Sequence, residues 1–262
     1  MQKIFIALCC LLAIICLPFN AESYTEYQDF HRTETAENQE EQPSQQDVQQ
    51  LIAEILPEVL PLCSAVGWDN LYWWLEDDTG EISVDRLPIA IHELCHEYSC
   101  ISQGIAYNRF KQENSARISY QKRLQAYSYY YGDGQSAKII FTELVPTSEM
   151  DVSYLELSDE LRSRYLGGNT SAEIYGIYGL LNEFNAYSWQ AAMRRALAGQ
   201  DHGSFNRQFY LDYYNGFNSL ITTWLDYAAD HYPTVYQAVW DDPTFKKIYF
   251  TAKERFANAC AD

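Results

Sequence analysis

The chain has 262 residues, enough for one good-sized domain or two small ones with an ample core. Its formal net charge of −18 argues against nucleic acid and anionic lipid as partners, because both repel an acidic protein. The charge favours solubility and says little about the fold.

Residues 1–21 are typical of a secretory signal peptide. A short basic start with Lys3 precedes an apolar run from Ile4 to Phe19, and Ala21 offers a small residue for cleavage. We therefore expect a secreted, periplasmic or cell-surface protein, with no stable membrane insertion of the mature chain. Removing the leader removes one base and no acid, which leaves 17 bases against 36 acids.

Residues 22–47 are polar and rich in Glu and Gln, so they cannot bury enough apolar surface to fold alone. We expect them to form a flexible tether in front of a single domain, residues 48–262. Four cysteines remain after the leader is removed, an even number that makes one or two disulfides or simple burial equally reasonable expectations. They are Cys63, Cys95, Cys100 and Cys260.

The first half of the domain alternates helical patterns with short strand signals. Helical periodicity begins near Asp47, and prolines interrupt it at positions 57 and 61. A short strand is predicted at 81–84, followed by a helix from about Pro88 to Gly104 with Asp85 nearby as a cap. A second helix is predicted over 107–128, and a strand over 137–145.

The second half reads as helix almost throughout. Thr170 or Ser171 is a capping residue for a long helix that runs to about Leu197. Residues 204–260 are helical again, with breaks near Pro233 and Pro243. The prediction is a mainly α fold with a small β component (α+β), built as one helical domain around the helix at 88–104.

That helix contains His92-Glu93-Leu94-Cys95-His96, an H-E-x-x-H pattern. Residues four apart lie on one helix face, so both imidazoles can reach one Zn²⁺, and Glu93 stands where it can act as general base. The opposite face is broadly apolar, which places the histidines and Glu93 on the other side, partly buried in a cleft.

The run IAIHELCHEY (89–98) resembles the active-site helix of zincin metallopeptidases. The resemblance implies that His92 and His96 bind zinc and that Glu93 is the catalytic base. Glu97 departs from the pattern, which usually has an uncharged residue there. Metzincins place a Gly and a third His where this chain has Ser99 and Ser102, and aspzincins need an Asp where it has Ala172.

Gluzincins take their third ligand from a glutamate on a later helix, often after an Asn, and Asn182-Glu183 is similar. Apolar residues surround Glu183 in every direction along its helix, so its carboxylate should be buried and needs a cation. Tyr187, one turn further on, is a candidate hydrogen-bond donor to substrate or to Glu183. Glu113 is an alternative third ligand, closer to the usual spacing but on a polar helix.

Further candidates have simpler structural explanations. His231 is a candidate oxyanion stabiliser or a helix cap, and Arg162 and Arg164 are candidate anchors for a substrate carboxylate or partners of the excess acids. His202 reads as a surface loop residue. The strand at 137–145 is either buried or an edge that pairs with an extended peptide.

Two functions follow. The first is an exported zinc-dependent metallopeptidase whose partner is a peptide or protein substrate. The second is a non-catalytic, tyrosine-rich surface module that binds peptide or glycan, with an accidental or inactive H-E-x-x-H. A purely structural zinc fits less well, because structural sites are closed and usually use cysteines.

Overall fold

The structure, a computed structural model, describes residues 42–77, 79–102, 125–166 and 170–261. The expected signal peptide and most of the expected tether lie outside the described residues, as does the predicted helix over 107–124. No helix within the described ranges is both long and apolar enough to cross a membrane.

The described chain is mainly helical with one small sheet, as predicted. Short 3₁₀ turns occur at Pro57–Val59, Val84–Arg86 and Thr147–Glu149. The helices, in chain order, are α1 (Gln45–Ile55), α2 (Leu60–Val66), α3 (Trp68–Leu75), α4 (Leu87–Ile101), α5 (Asp159–Tyr165), α6 (Ser171–Tyr175), α7 (Ile177–Ala198), α8 (Arg207–His231), α9 (Pro233–Trp240) and α10 (Pro243–Ala259).

Local chemistry sets where these helices begin. Ser44 forms a capping box with Asp47, so α1 starts two residues before the predicted Asp47. Pro233 and Pro243 occupy the first turns of α9 and α10, where a missing N–H costs nothing. The breaks predicted at these two prolines are confirmed.

The sheet consists of β1 (Ala126–Gly132) and β2 (Gln135–Ile140), paired antiparallel around a tight turn. Asp133 and Gly134 take positive φ there, which an Asp-Gly pair tolerates. The helix predicted to reach residue 128 is therefore wrong at its end, because 126–128 belong to β1. The predicted strand at 137–145 is shifted to 135–140, and the one at 81–84 is reduced to a single bridge between Glu76 and Ile82.

Helix side chains fix the edge of β1 that faces away from β2. The carbonyl of Tyr130 accepts hydrogen bonds from Asn185 Nδ2 (3.0 Å) and Trp189 Nε1 (3.1 Å), both on α7. The carbonyl of Ser128 accepts one from Ser99 Oγ (2.7 Å) on α4. The strand is thereby tied to both helices that carry the H-E-x-x-H motif and Glu183.

Helix α7 is buried along nearly its whole length, including its polar side chains. This confirms the expectation that Glu183 is buried, since the residue is 8% exposed. The residue before the helix is Gly176, where φ is +55° and an added Cβ would lie 2.2 Å from the carbonyl oxygen of Val145. Only glycine fits this conformation and this close approach.

The four cysteines of the domain are all buried free thiols. Of the two expectations, burial is therefore the one that the structure has, and no disulfide links them. Burial raises the pKa of Cys63 to about 12 and the pKa of Cys95 well above its ordinary value, so both remain protonated.

Candidate metal centre

The structure brings three side chains together at one point between α4 and α7. His92 Nε2 lies 3.0 Å from His96 Nε2, and Glu183 Oε2 lies 3.7 Å and 3.6 Å from these two nitrogens. Within the described ranges, these residues form a group of potential ligand atoms that could hold a metal ion. Two of the three come from the H-E-x-x-H pattern, and the third lies 87 residues after His96 in the sequence.

The spacing of the three atoms fits a metal. A circle through atoms at these separations has a radius of about 2.0 Å, which is the length of a Zn–N or Zn–O bond. Two imidazoles and one carboxylate are also a donor set that transition metals accept. The His96 side chain is 21% exposed, against 9% for His92 and 11% for Glu183, so solvent reaches the group from the His96 side.

Helix α4 presents both histidines because they stand one turn apart on a regular helix. Pro88 lies in its first turn, as predicted, but the residue before the helix is Arg86, and the predicted cap Asp85 forms no cap. The helix is buried on more sides than its pattern indicates, since His92, Glu97 and Ser99 are all less than a tenth exposed.

Helices α4 and α7 run antiparallel, and polar contacts hold their register. Arg194, near the end of α7, donates to the backbone carbonyl of Asp85 (2.7 Å) and pairs with its carboxylate (3.4 Å) just before α4. At the other end, His96 is bonded to Asn182. A slip of one turn would break both contacts and separate Glu183 from the histidines.

Asn182 fixes the ring of His96. Its Oδ1 accepts a hydrogen bond from His96 Nδ1, which leaves His96 Nε2 facing His92 and Glu183. Metal-binding histidines commonly use their second nitrogen in this way. Asn182 is 1% exposed, so the contact is made in a dry environment. The sequence analysis treated Asn182 only as the neighbour of Glu183 and missed its contact with His96. An amide on a buried helix, next to a predicted ligand, is the signal from which this role could have been found.

The two histidines titrate in opposite directions. Burial and the neighbouring His96 lower the pKa of His92 to about 3. Burial also works to lower the pKa of His96, but the carboxylates of Glu183 and Glu93 and the bond to Asn182 outweigh it and raise that pKa to about 9. Without a metal, His92 is thus neutral at pH 7, and His96 is an imidazolium beside the Glu183 carboxylate.

Tyr187 supports His92. Its ring packs edge-on against the His92 ring, with centroids 4.5 Å apart, and its hydroxyl shares a hydrogen bond with Tyr165 on α5 (2.8 Å). The residue is 3% exposed. These contacts fit a residue that holds the imidazole in place, and the sequence-based role for Tyr187 as a donor to substrate stays a prediction.

Glu93 and Glu97 differ in their environments. Glu93 follows His92 directly and is half-buried, close enough to contribute to the raised pKa of His96. Glu97, which departs from the zincin pattern, is fully buried and accepts a hydrogen bond from Trp74 Nε1 on α3 (2.8 Å). The Glu97 side chain is therefore held in the core by a specific hydrogen bond.

The other sequence candidates do not join the group. His231 is exposed, and its Nδ1 contacts the carbonyl of Tyr227 at the end of α8 (3.0 Å), as a helix cap does. Arg164 pairs with Glu160 (3.0 Å), and Arg162 donates to backbone carbonyls. His202 is exposed in a turn. Glu113 lies outside the described residues.

No protein-family model, curated protein or solved structure matches this chain. The chemistry of the site is therefore argued below from its own residues.

Proposed function

We propose that this protein is an exported zinc-dependent peptidase. The observation that carries the proposal is that ligand atoms of His92, His96 and Glu183 lie close enough together to bind one metal ion. Glu93 lies next to His92 on α4. The resemblance of IAIHELCHEY to the zincin helix, and the signal-like residues 1–21, agree with this function.

Zinc is the metal that this donor set favours. Two imidazoles and one carboxylate leave a coordination position open, as catalytic zinc sites do, whereas structural sites are usually closed by cysteines. Cys95 lies within the motif but is 2% exposed and belongs to the apolar core. Zinc bound at this site would polarise a substrate carbonyl and lower the pKa of water towards neutrality.

The chain's own residues would supply the remaining steps. Glu93 would accept the proton of the attacking water and pass it to the amine that leaves when the peptide bond breaks. Asn182 would keep His96 in the required orientation, and Tyr187 would do the same for His92. The acidic balance of the chain disfavours nucleic acid, so the proposed substrate is a peptide or protein.

The test begins with the metal content of the purified mature chain. We expect about one zinc per wild-type chain and a marked loss in Glu183→Ala. Glu254→Ala, which removes an exposed glutamate of α10, is the matched control and should retain the metal. A wild-type chain that takes up no zinc, or that prefers iron, contradicts the proposal.

Activity is tested next with a library of quenched fluorescent peptides. Glu93→Gln should keep the zinc and lose hydrolysis by a factor of at least about 10², because only the base is removed. If Glu93→Gln cleaves peptides as fast as the wild type, the mechanism is wrong. If the zinc-loaded wild type binds peptides or glycans and cleaves none, the binding-module hypothesis replaces the enzyme.

A further inference from the structure

The imidazole of His92 has one nitrogen that the candidate metal centre does not use. Its Nε2 lies 3.0 Å from His96 Nε2 and 3.7 Å from Glu183 Oε2. Its Nδ1 is buried and makes no hydrogen bond within the described part of the chain. The Nδ1 of His96, by contrast, is bonded to Asn182. Buried polar atoms normally have a partner, so the Nδ1 of His92 requires an explanation.

Ligation of a metal through Nε2 would make this nitrogen a donor. A neutral imidazole that binds a metal through Nε2 carries its proton on Nδ1. Metal-binding histidines almost always donate that proton to a carboxylate, a carbonyl or water. We therefore searched the surroundings of His92 for an acceptor, since a buried donor without one would weaken the site.

Gln190 lies on the face of α7 that packs against α4. Seven residues before it, Glu183 Oε2 lies 3.7 Å from His92 Nε2. Four residues after it, Arg194 pairs with Asp85 just before α4. Residues four and seven apart share one face of a helix, so Gln190 lies between these two contacts and faces α4.

The side chains of His92 and Gln190 lean toward each other. Tyr187, one turn before Gln190, packs against the His92 ring with centroids 4.5 Å apart. Side chains lean toward the start of their own helix, and α4 and α7 are antiparallel. The His92 ring therefore leans along α7 from Tyr187 toward Gln190, and Gln190 leans back toward Tyr187.

The environment of Gln190 suits an acceptor for this nitrogen. The residue is 3% exposed, so little water reaches its amide. Burial and His96 lower the pKa of His92, and the side chain of Gln190 is among the groups that oppose them. A group that raises this pKa stabilises the protonated ring, as an oxygen that accepts a ring N–H does. The orientation of the amide thus agrees with its position.

We propose that Gln190 is the positioning residue for His92, and that its side-chain oxygen accepts the hydrogen bond of Nδ1–H when a metal occupies Nε2. The inference rests on the proposed function, since it takes Nε2 of His92 as a zinc ligand. Both histidines are then oriented by amide oxygens of α7, His96 by Asn182 and His92 by Gln190.

The test compares two variants of the same residue. Gln190→Met keeps the length of the side chain and removes the acceptor, so it should weaken zinc binding by about 10- to 100-fold in competition with a chromophoric chelator. Gln190→Glu keeps an acceptor and should bind zinc at least as tightly as the wild type. The control Asn185→Leu removes a buried amide of α7 that bonds to the carbonyl of Tyr130, and it should leave zinc affinity unchanged.

A second readout observes the proton itself and needs no variant. In the zinc-bound wild type, NMR of the imidazole nitrogens should find the His92 proton on Nδ1, slow to exchange with water. This proton should show a nuclear Overhauser effect to the side chain of Gln190. In Gln190→Met it should exchange faster, which a residue that only fills space would not cause.

Four outcomes decide the matter. Zinc affinity of Gln190→Met within about twofold of the wild type overturns the inference and leaves the proposed function standing. An equal loss of affinity in Gln190→Glu or in Asn185→Leu overturns it too, because the acceptor would not be what matters. The absence of the Overhauser effect in the zinc-bound wild type also overturns it, even if Gln190→Met fails to fold. A wild-type chain that binds no zinc refutes both proposals.

Discussion

Asn182→Leu removes the acceptor for His96 Nδ1 and keeps the same branched shape and number of side-chain heavy atoms. Asn182 is 1% exposed and is bonded to the imidazole on the far side from Glu183. Without the amide, the His96 ring can rotate or change its tautomer. Its Nε2 is then no longer available to the metal in every molecule. We expect the variant to fold and to bind zinc more weakly.

The size of the effect follows from the single contact that is lost. Replacing a group that orients a metal-binding histidine typically weakens metal binding by about 10- to 100-fold. That range corresponds to about 1.4 to 2.7 kcal/mol, similar to one hydrogen bond from a charged group. Asn182→Asp, which keeps an acceptor in place, should bind zinc at least as tightly as the wild type.

The assay is competition for zinc against a chromophoric chelator at fixed pH. The matched control is Asn185→Leu, because Asn185 is equally buried on the same helix but bonds to the carbonyl of Tyr130 instead of to a metal ligand. This control should lower the melting temperature and leave zinc affinity unchanged.

Three outcomes would refute the reasoning. Zinc affinity within about twofold of the wild type in a folded Asn182→Leu would show that Asn182 does not position His96. An equal loss of zinc affinity in Asn182→Leu and Asn185→Leu would show that any substitution of a buried asparagine in α7 weakens zinc binding. A loss in Asn182→Asp as large as in Asn182→Leu would show that the acceptor is not what matters.

Three further predictions concern protons, thiols and the backbone. The pKa of His96 is raised to about 9 in the metal-free fold, so its proton stabilises that fold below about pH 6.5, and this contribution is lost as the pH rises through 9. Zinc must displace the same proton, so calorimetry in buffers of different ionisation enthalpy should show about one proton released per zinc at pH 7, and an affinity that rises up to about pH 9. Iodoacetamide should label none of the four domain cysteines in the folded chain and all four after unfolding, by mass spectrometry without reductant; fewer than four would reveal a disulfide. Gly176→Ala should lower the free energy of unfolding by more than about 2 kcal/mol, because φ is positive there and the added Cβ would meet the carbonyl of Val145. The control Gly199→Ala, at φ −70°, should lower it less. Equal melting temperatures of the two variants would contradict this prediction.

The parts of the fold that the sequence predicted well are those that local signals determine. Pro233 and Pro243 end one helix and start the next regardless of what surrounds them. The apolar residues on all sides of Glu183 predict a buried helix, and a buried carboxylate predicts a nearby cation or proton. The meeting of Glu183 with two histidines was accessible from the sequence for this reason.

The parts that were missed depend on contacts between distant segments. Residues 126–128 continue a tyrosine-rich run that suits a helix or a strand, and the antiparallel pairing with β2 selects the strand. Asp85 satisfies the local rule for a cap, but Arg194 from α7 pairs with it instead. The bond between His96 and Asn182 depends on the register of two helices, which periodicity in either one does not specify.

The hydrogen bonds to β1 have a consequence for association with other chains. An unpaired strand edge normally presents backbone groups to which a foreign strand can add. On the outer side of β1, the carbonyls of Ser128 and Tyr130 are occupied by side chains of α4 and α7. Strand β2 is largely exposed and pairs only with β1 within the described chain. The sheet is closed to growth on one side, so any peptide or second copy that extends it must add to β2.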